Sequence, residues 1–405
     1  MPEDLTGLRP VVPDTCSLVP LGEELEREWD DLAATCAASP FQRPGWFRAW
    51  LQAFGAERTL DLLAVRRDGA LVAVLPLVNG ALGAKAPVND ETPLLAPVAL
   101  DTAAASSLGR RLAGAAHAVD LRFLPVGEHE RALVTAARAS TGTVVRELVR
   151  SSPYVAVDGS WDEHLHQAVS PSRRRNLRRA ERRLRERADL RLEVHDGSRD
   201  LDRLLHEGFG LEAQGWKGRE GTAVVSRPRT AAFYWALARW AAQQGVLRLQ
   251  FLRLDDRPIA FSFTLEQGGS AYGVKTTYAE DLRSFGPGVL LTHWLLADAF
   301  ERPGLRSFEM LGEPDPYKLE FASGVREQVR VRVYDGSVRS VVQRRAESTF
   351  SAGRAELRRR VPAETRARLA ARLSTARARL APWALQALPT GGQAGSSSRY
   401  NATSP

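Results

Sequence analysis

The sequence predicts an α/β protein on a mixed α+β sheet, built in two similar halves, and three observations carry that reading. Segments with strand-like and helix-like apolar periods follow one another along most of the chain, the pattern of elements that share a sheet. Two hairpin segments, Leu63 to Leu75 and Phe251 to Phe263, can be laid over one another, which reads either as an internal duplication or as turn chemistry that any two hairpins share. The chain has 405 residues, 44% of them hydrophobic, with 9 Trp and 14 Phe, which is too long for one small domain and too apolar for global disorder.

Taken in order, an irregular start precedes a helix at Leu21 to Ala37 and a second at Pro44 to Phe54, with Pro44 in the first turn and Trp46 and Trp50 on one face. Leu60 to Arg66 and Leu71 to Val78 flank Arg67-Asp68-Gly69, a hairpin in which Asp-Gly supplies the positive φ of the turn. An alanine-rich helix at Ala103 to Ala118, a strand at Asp120 to Val126, a helix at Glu128 to Ser140 and a strand near Thr143 to Val149 follow. Ser170-Pro171 offers an N-cap and a first-turn proline, after which Leu177, Ala180, Leu184 and Ala188 recur at helical spacing. A second set comprises a strand at Arg191 to His195, helices at Arg199 to Gln214 and Arg229 to Gln244, and strands at Val246 to Leu254, Pro258 to Glu266 and Ser270 to Thr277. A helix at Gly288 to Glu301 and strands at Ser307 to Leu311 and Val329 to Tyr334 close it. The expected organisation is a first half over 21–160, a second over 161–340, a basic helical tail over 341–388 broken at Pro362, and a disordered Gly/Ser-rich end over 389–405.

Charge is concentrated. Of 56 basic residues only Lys85, Lys217, Lys275 and Lys318 are lysines, so 52 are arginines. Arg173 to Arg187 carries a net +7 and Arg344 to Arg379 a net +8, which leaves the rest of a +8 chain at −7. Two segments therefore set the pI near 9.9. Two cysteines, Cys16 and Cys36, make neither a disulfide framework nor a metal spacing, and the seven histidines show no ligand pairing, so no metal is expected. With no apolar run near the N-terminus and Gly286 to Phe300 too short and interrupted to span a bilayer, the expected location is cytoplasmic, or peripheral at the inner membrane face.

Arg283-Ser284-Phe285-Gly286-Pro287-Gly288 has the form R-x-x-G-x-G between a strand and an apolar helix, where glycines admit a ligand to the backbone and free helix N–H groups face an anion. The alternative is an ordinary loop and helix start. The order of hairpin, third strand, R-x-x-G-x-G and helix resembles the acyl-CoA site of the GNAT acetyltransferase superfamily. Several blocks resemble its cellulose-biosynthesis acetyltransferase-like (CelD/BcsL-type) members: Phe41 to Trp46, Arg173 to Leu184, Gly215-Trp-Lys-Gly218 with Gly221-Thr222, Lys275-Thr-Thr-Tyr278, Phe308 to Gly312, and Pro316-Tyr-Lys318. That resemblance, spanning Leu21 to Val333, implies tandem GNAT-like domains related to the Fem-type peptidyltransferases, with one active site, in the second half. It implies acetyl-CoA or another acyl-CoA as cosubstrate, bound by Thr276, Thr277, Arg283, Ser284, Phe285, Gly286, Gly288 and Val289. Where Ala279-Glu280-Asp281 stands, those members more often place an acidic pair directly after the tyrosine.

Acyl transfer from a thioester requires polarisation of the carbonyl, a neutral nucleophile and a proton for the leaving thiolate. Backbone N–H groups near Thr276 and Thr277 supply the first if the strands splay there, as the resemblance implies. Tyr317 is a candidate acid or a half-buried helix tyrosine. Glu309, within the apolar Phe308 to Leu311 strand, is the favoured base over Glu313 and Asp315, unless it is paired or faces solvent. Lys275 and Lys318 stand out by scarcity, as anion-binding ammoniums or as surface ion pairs. Trp216 and Lys217, with Tyr278, are candidates for an acceptor wall, the indole being alternatively a core anchor.

The resulting reading is an acyl-CoA-dependent acyltransferase, in particular an acetyltransferase acting on a cell-envelope polysaccharide or sugar precursor. The partner is then a small-molecule or glycan acceptor, with peripheral contact to anionic membrane through the C-terminal helix, where Leu369, Leu373 and Leu380 mark one face and Trp383 stands at the end. Two alternatives stay open: Fem-type aminoacyl transfer from charged tRNA, the one setting in which nucleic acid is expected, and a non-catalytic polyanion- or membrane-binding protein on a transferase scaffold.

Overall fold

The computed structural model describes residues 14–55, 58–141 and 143–360. The chain divides into two compact units at Arg344, and the fold below is that of the first; the second is described only as helix to Arg360. Pro362, the amphipathic face of the tail and the Gly/Ser-rich end lie outside the described residues. Among the described residues no helix is long and apolar enough to cross a membrane.

One mixed sheet organises the first unit. In the first half, β1 (Thr15–Pro20), β2 (Leu60–Arg67) and β3 (Ala70–Gly80) run antiparallel, followed by β4 (Gly83–Lys85), with β5 (Val98–Ala99) set beside β3. β4 lies parallel to β6 (Ala118–Pro125), and β7 (Val144–Ala156) follows. The second half repeats the order: β8 (Leu190–His195), β9 (Leu247–Leu254), β10 (Arg257–Gln267) and β11 (Ser270–Tyr278) antiparallel, β11 parallel to β12 (Ser307–Glu309), then β13 (Gly324–Tyr334). The last strands are exchanged, since β7 pairs with β12 of the second half and β13 with β6 of the first, and β7 and β13 pair with each other at the centre. The duplication suggested by the hairpins is thus a repeat of strand order. Its equivalent turn residues are Asp68 (φ 51°) and Asp255 (φ 52°), one residue off the sequence overlay.

Helices α1 (Glu23–Thr35), α2 (Pro44–Trp50), α3 (Thr102–Ala115) and α4 (Glu128–Thr141) belong to the first half. The second has α5 (Trp161–Ala168), α6 (Pro171–Arg185), α7 (Leu201–Gln214), α8 (Trp216–Arg219), α9 (Pro228–Gln243), α10 (Pro287–Glu301) and α11 (Pro316–Leu319), and α12 runs Val338–Arg360. α6 starts as its sequence dictates: the Ser170 hydroxyl accepts from Arg173 N–H, Pro171 fills the first turn, and Leu177 and Leu184 are buried. α5, started by the Ser160–Glu163 capping box, is short and buries none of its residues fully; its apolar period is only Trp161, Leu165 and Ala168. β1 replaces the irregular start, a short edge strand that alternates only over Thr15 to Leu18. β7 and β13 extend beyond the expected Thr143 to Val149 and Val329 to Tyr334 because their polar ends, Arg150-Ser-Ser-Pro153 and Gly324 to Gln328, pair with each other.

The two halves share a core. The edge of Phe41, in the turn before α2, meets Tyr272 of β11 at 5.2 Å between centroids, and Trp46 meets Phe233 of α9 at 5.1 Å. A Cβ on Gly45 would lie 1.9 Å from the Trp240 indole, so glycine is what lets α2 reach α9. Burial of such aromatic pairs ties the two repeats into one body.

Candidate active site

The site begins with a register. β11 pairs with β12 only through Ser270–Ser307, Ala271–Phe308 and Tyr272–Glu309, and β12 ends there while β11 continues to Tyr278. A bulge at Val274, between the pairs Thr264–Gly273 and Phe263–Lys275, interrupts the β10 ladder just beyond that point. Gly273 to Tyr278 therefore has a partner on the β10 side and none on the β12 side. The Ala279 N–H donates to Ile259 C=O, and because bonding alternates along an antiparallel ladder, Thr277 and Lys275 also turn their N–H groups to β10. Thr276 and Tyr278 turn theirs into the gap, so of the two threonines expected to offer a donor, only Thr276 does.

Beyond β11 a 3-10 turn, Glu280–Phe285, leads to Gly286, whose φ of 60° is left-handed and whose missing Cβ faces open space. Gly286 is the N-cap of α10 and no side chain caps that helix, so its first N–H groups stay unpaired within the protein. Arg283 and Ser284 are exposed beside it, and Val289 is half-buried in the first turn. Phe285, expected to touch cofactor, is instead buried between the guanidinium groups of Arg183 and Arg187, at 4.6 and 4.4 Å, and anchors the loop to α6. A Cβ on Gly288 would lie 3.0 Å from the Tyr278 ring, so that glycine lets the helix start settle on the strand end.

The equivalent features of the first half are closed. The chain after β4 stays along β6, with Ala86 N–H donating to Asp120 C=O and Leu95 N–H to Phe123 C=O, which fills the gap. At α3 the Asp101 carboxylate accepts from Ala104 N–H and pairs with Arg67 at 2.8 Å, so an acid already occupies the helix N-terminus. The Arg67 bond and the Ala104 N–H hold that carboxyl at about 2.

A small cleft lies at the end of β11, lined by Thr276, Thr277, Tyr278, Glu280, Glu212, Gly215, Trp216 and Lys217. It brings together two segments that lie some sixty residues apart in sequence. Trp216 is 48% exposed, which answers the core-anchor alternative. Glu280 accepts from Trp216 N–H at 2.7 Å and from Arg219 at 2.8 Å, tying the pocket to the donor loop; Arg219 and that N–H hold its carboxyl below the usual range. Lys217 pairs at 2.7 Å with the buried Glu212, which also accepts from Val224 N–H.

The remaining candidates divide. Glu309 is buried, accepts from the Ser307 hydroxyl and pairs with Arg326 Nε through both oxygens at 2.9 Å, so it is the paired acid and not a free base. The Lys318 ammonium donates to the carbonyls of Leu311 (2.9 Å) and Glu313 (3.2 Å) and pairs with Asp315 (3.1 Å); its three N–H groups are committed to holding the loop after β12. Tyr317 is half-buried, and burial, with Asp315 adding, pushes its phenol up to about 12. Lys275 meets Glu91 at 3.0 Å, and the same Glu91 oxygen accepts from the Tyr234 hydroxyl at 3.0 Å. Glu91, Tyr234 and Glu212 have no motif to mark them. Of the three only Glu212 leaves a trace, an acid on the apolar face of α7 with Leu204, Leu205, Phe209 and Leu211.

Residues 171–319, from α6 to α11, match the acetyltransferase (GNAT) domain family. The crystal structure of FemX is similar at a TM-score of 0.51 and 11% identity, covering 78% of this chain and 97% of that one. A conserved protein of unknown function from Bacteroides thetaiotaomicron is similar at 0.52 and 11%, covering 79% and 100%. At such identities the likeness is one of fold. No curated protein matches the chain.

Proposed function

We propose that this chain is an acyl-CoA-dependent acyltransferase, an acetyltransferase of the CelD/BcsL type acting on a cell-envelope polysaccharide or sugar precursor. The observation that carries the reading is that the open flank of β11 leads, through the 3-10 turn Glu280–Phe285, to the uncapped N-terminus of α10 at Gly286. Acyl-CoA, when bound, supplies an activated thioester. The N–H groups at the start of α10, with Arg283, suit its phosphates, and Thr276 N–H in the gap suits a carbonyl oxygen. The exposed Trp216 indole offers a flat face for a sugar ring, with Lys217 beside it. In the transfer an acceptor nitrogen or oxygen bonds to the acyl carbon as the carbon–sulfur bond breaks. The acceptor's proton is released to solvent, the thiolate takes one from Tyr317, whose burial keeps the phenol protonated beforehand, and the resulting phenolate is reprotonated from solvent. Release of free thiol from acetyl-CoA with glucosamine as acceptor tests this: turnover lost in Trp216→Ala supports the assignment, and no thiol release at millimolar substrate defeats it.

A second reading has its own observation. Arg175, Arg178, Arg179, Arg182, Arg183, Arg185 and Arg187 are exposed on α6 and its C-terminal continuation, and of these Arg182 pairs with Glu186 at 3.4 Å and Arg185 with Glu181 at 3.1 Å, while the other five have no carboxylate partner among the described residues. Such a ridge suits the phosphates of a charged tRNA in a Fem-type aminoacyl transfer. That activity would vanish on ribonuclease treatment, whereas acetyl transfer would not.

A further inference from the structure

Lysine is so rare in this chain that a lysine inside the site calls for a reason. Lys275 lies opposite Phe263 on β10, and Phe263 contacts Tyr234 of α9, so the Lys275 side chain is on the α9 side of the sheet. It is immediately before Thr276, the residue whose N–H faces the gap. Its ammonium is 5.4 Å from the Tyr234 ring centroid and 3.0 Å from Glu91. The ammonium is thus held between an aromatic ring and a carboxylate.

Glu91 comes from the other half. It sits in the segment that closes the gap after β4, on a turn built by Asn89 and Thr92: Glu91 N–H donates to Asn89 Oδ1 at 3.0 Å, Thr92 N–H to Asn89 C=O at 3.1 Å, and Asn89 N–H to Thr92 Oγ1 at 3.1 Å. Thr92 and Pro93 carbonyls are held in turn by Arg150 and Gln328. The carboxylate is therefore presented from a fixed backbone, and the buried Tyr234 hydroxyl donates to the same oxygen that Lys275 meets.

We propose that Glu91 is a positioning residue of the acyl-transfer site: the half without a donor loop supplies the carboxylate that holds the Lys275 ammonium beside the open strand, and the site of the second half is incomplete without it. This rests on the acyltransferase reading above. The ammonium so held faces the negative charge that develops during transfer, a role that appears in kcat and not in donor binding.

The test uses the full chain, with acetyl-CoA as donor and hydroxylamine as a generic nucleophile. Glu91→Gln and Lys275→Met are each expected to lower kcat about tenfold or more while the KM for acetyl-CoA changes less than twofold, the double variant to be no worse than either alone, and Glu91→Asp to recover part of the loss. An activity-independent readout accompanies it: with only four lysines, amine labelling resolved by peptide mapping should show Lys275 reacting faster in Glu91→Gln, with Lys85 unchanged. A kcat within twofold of wild type in either variant, additive losses, or unchanged Lys275 labelling would overturn the proposal. If Glu91→Gln does not fold, Lys275→Met and Glu91→Asp decide it. Absence of both acetyl-CoA binding and thiol release by the wild type is a different failure, that of the acyltransferase reading.

Discussion

Replacing Gly286 by aspartate puts into the second half what Asp101 puts into the first, an acid at the helix N-terminus. Gly286 has φ 60° and ψ 47°, and a Cβ there meets nothing within 4 Å, so the cost to the fold is backbone strain alone. For an L-residue that strain is about 1–2 kcal/mol, with Asp and Asn at the low end because they visit the left-handed region most readily. In a body this large that corresponds to a melting shift of roughly one or two degrees. The cost to donor binding is larger. A carboxylate about 4 Å from a bound phosphate, at an effective dielectric near 20, opposes it by about 4 kcal/mol, or roughly a thousandfold in affinity. Gly286→Asn carries the same strain and nearly the same volume without the charge, and is expected to weaken binding about tenfold at most. Calorimetric titration of wild type and both variants with acetyl-CoA separates the two terms. If Asp and Asn bind alike, or Asp stays within threefold of wild type, no phosphate sits at α10 and the reasoning fails.

Three further outcomes distinguish structural from chemical roles. Glu309→Gln removes a carboxylate that holds Arg326 and Ser307; because Arg326 is half exposed the expected loss is about 1–2 kcal/mol in urea unfolding, with turnover per folded molecule within threefold, and a full-stability variant without turnover would restore Glu309 as a base. Lys318→Met leaves the Leu311 and Glu313 carbonyls without their donor, so amide exchange over 311–315 should accelerate; unchanged exchange with lost turnover would assign Lys318 to the chemistry instead. Asp101 has a folded pKa of about 2 against an ordinary 3.8, so its ionised form adds stability above about pH 4 that is lost as pH falls through 2. Asp101→Asn should flatten that part of the stability curve, and an unchanged acid limb would rule the contribution out.

Much of this is legible in the sequence because local chemistry fixed it. Asp68-Gly69 makes its hairpin turn, Ser170-Pro171 starts α6, and the glycines of the donor loop fall at a strand-to-helix junction. What the sequence hides is long-range. The exchange of β7 and β13 depends on polar strand ends that find each other across nearly two hundred residues, and no periodicity marks them. The splay of β11 is set by where β12 stops. Likewise Glu309, Lys318 and Phe285 stand where a site residue would, yet their partners, Arg326, the Leu311 carbonyl and the α6 arginines, decide that they hold structure. Glu91 is the converse, an ordinary loop glutamate in sequence that the fold delivers to Lys275.

A single donor site per chain at Gly286, with the first half closed by its own segment and by Asp101, is open to calorimetric titration of the intact protein with acetyl-CoA. Saturable binding of one molecule per chain is expected, competed by free coenzyme A and unaffected by Asp101→Asn. Binding of two molecules, or none at millimolar ligand, would refute a single site at that glycine.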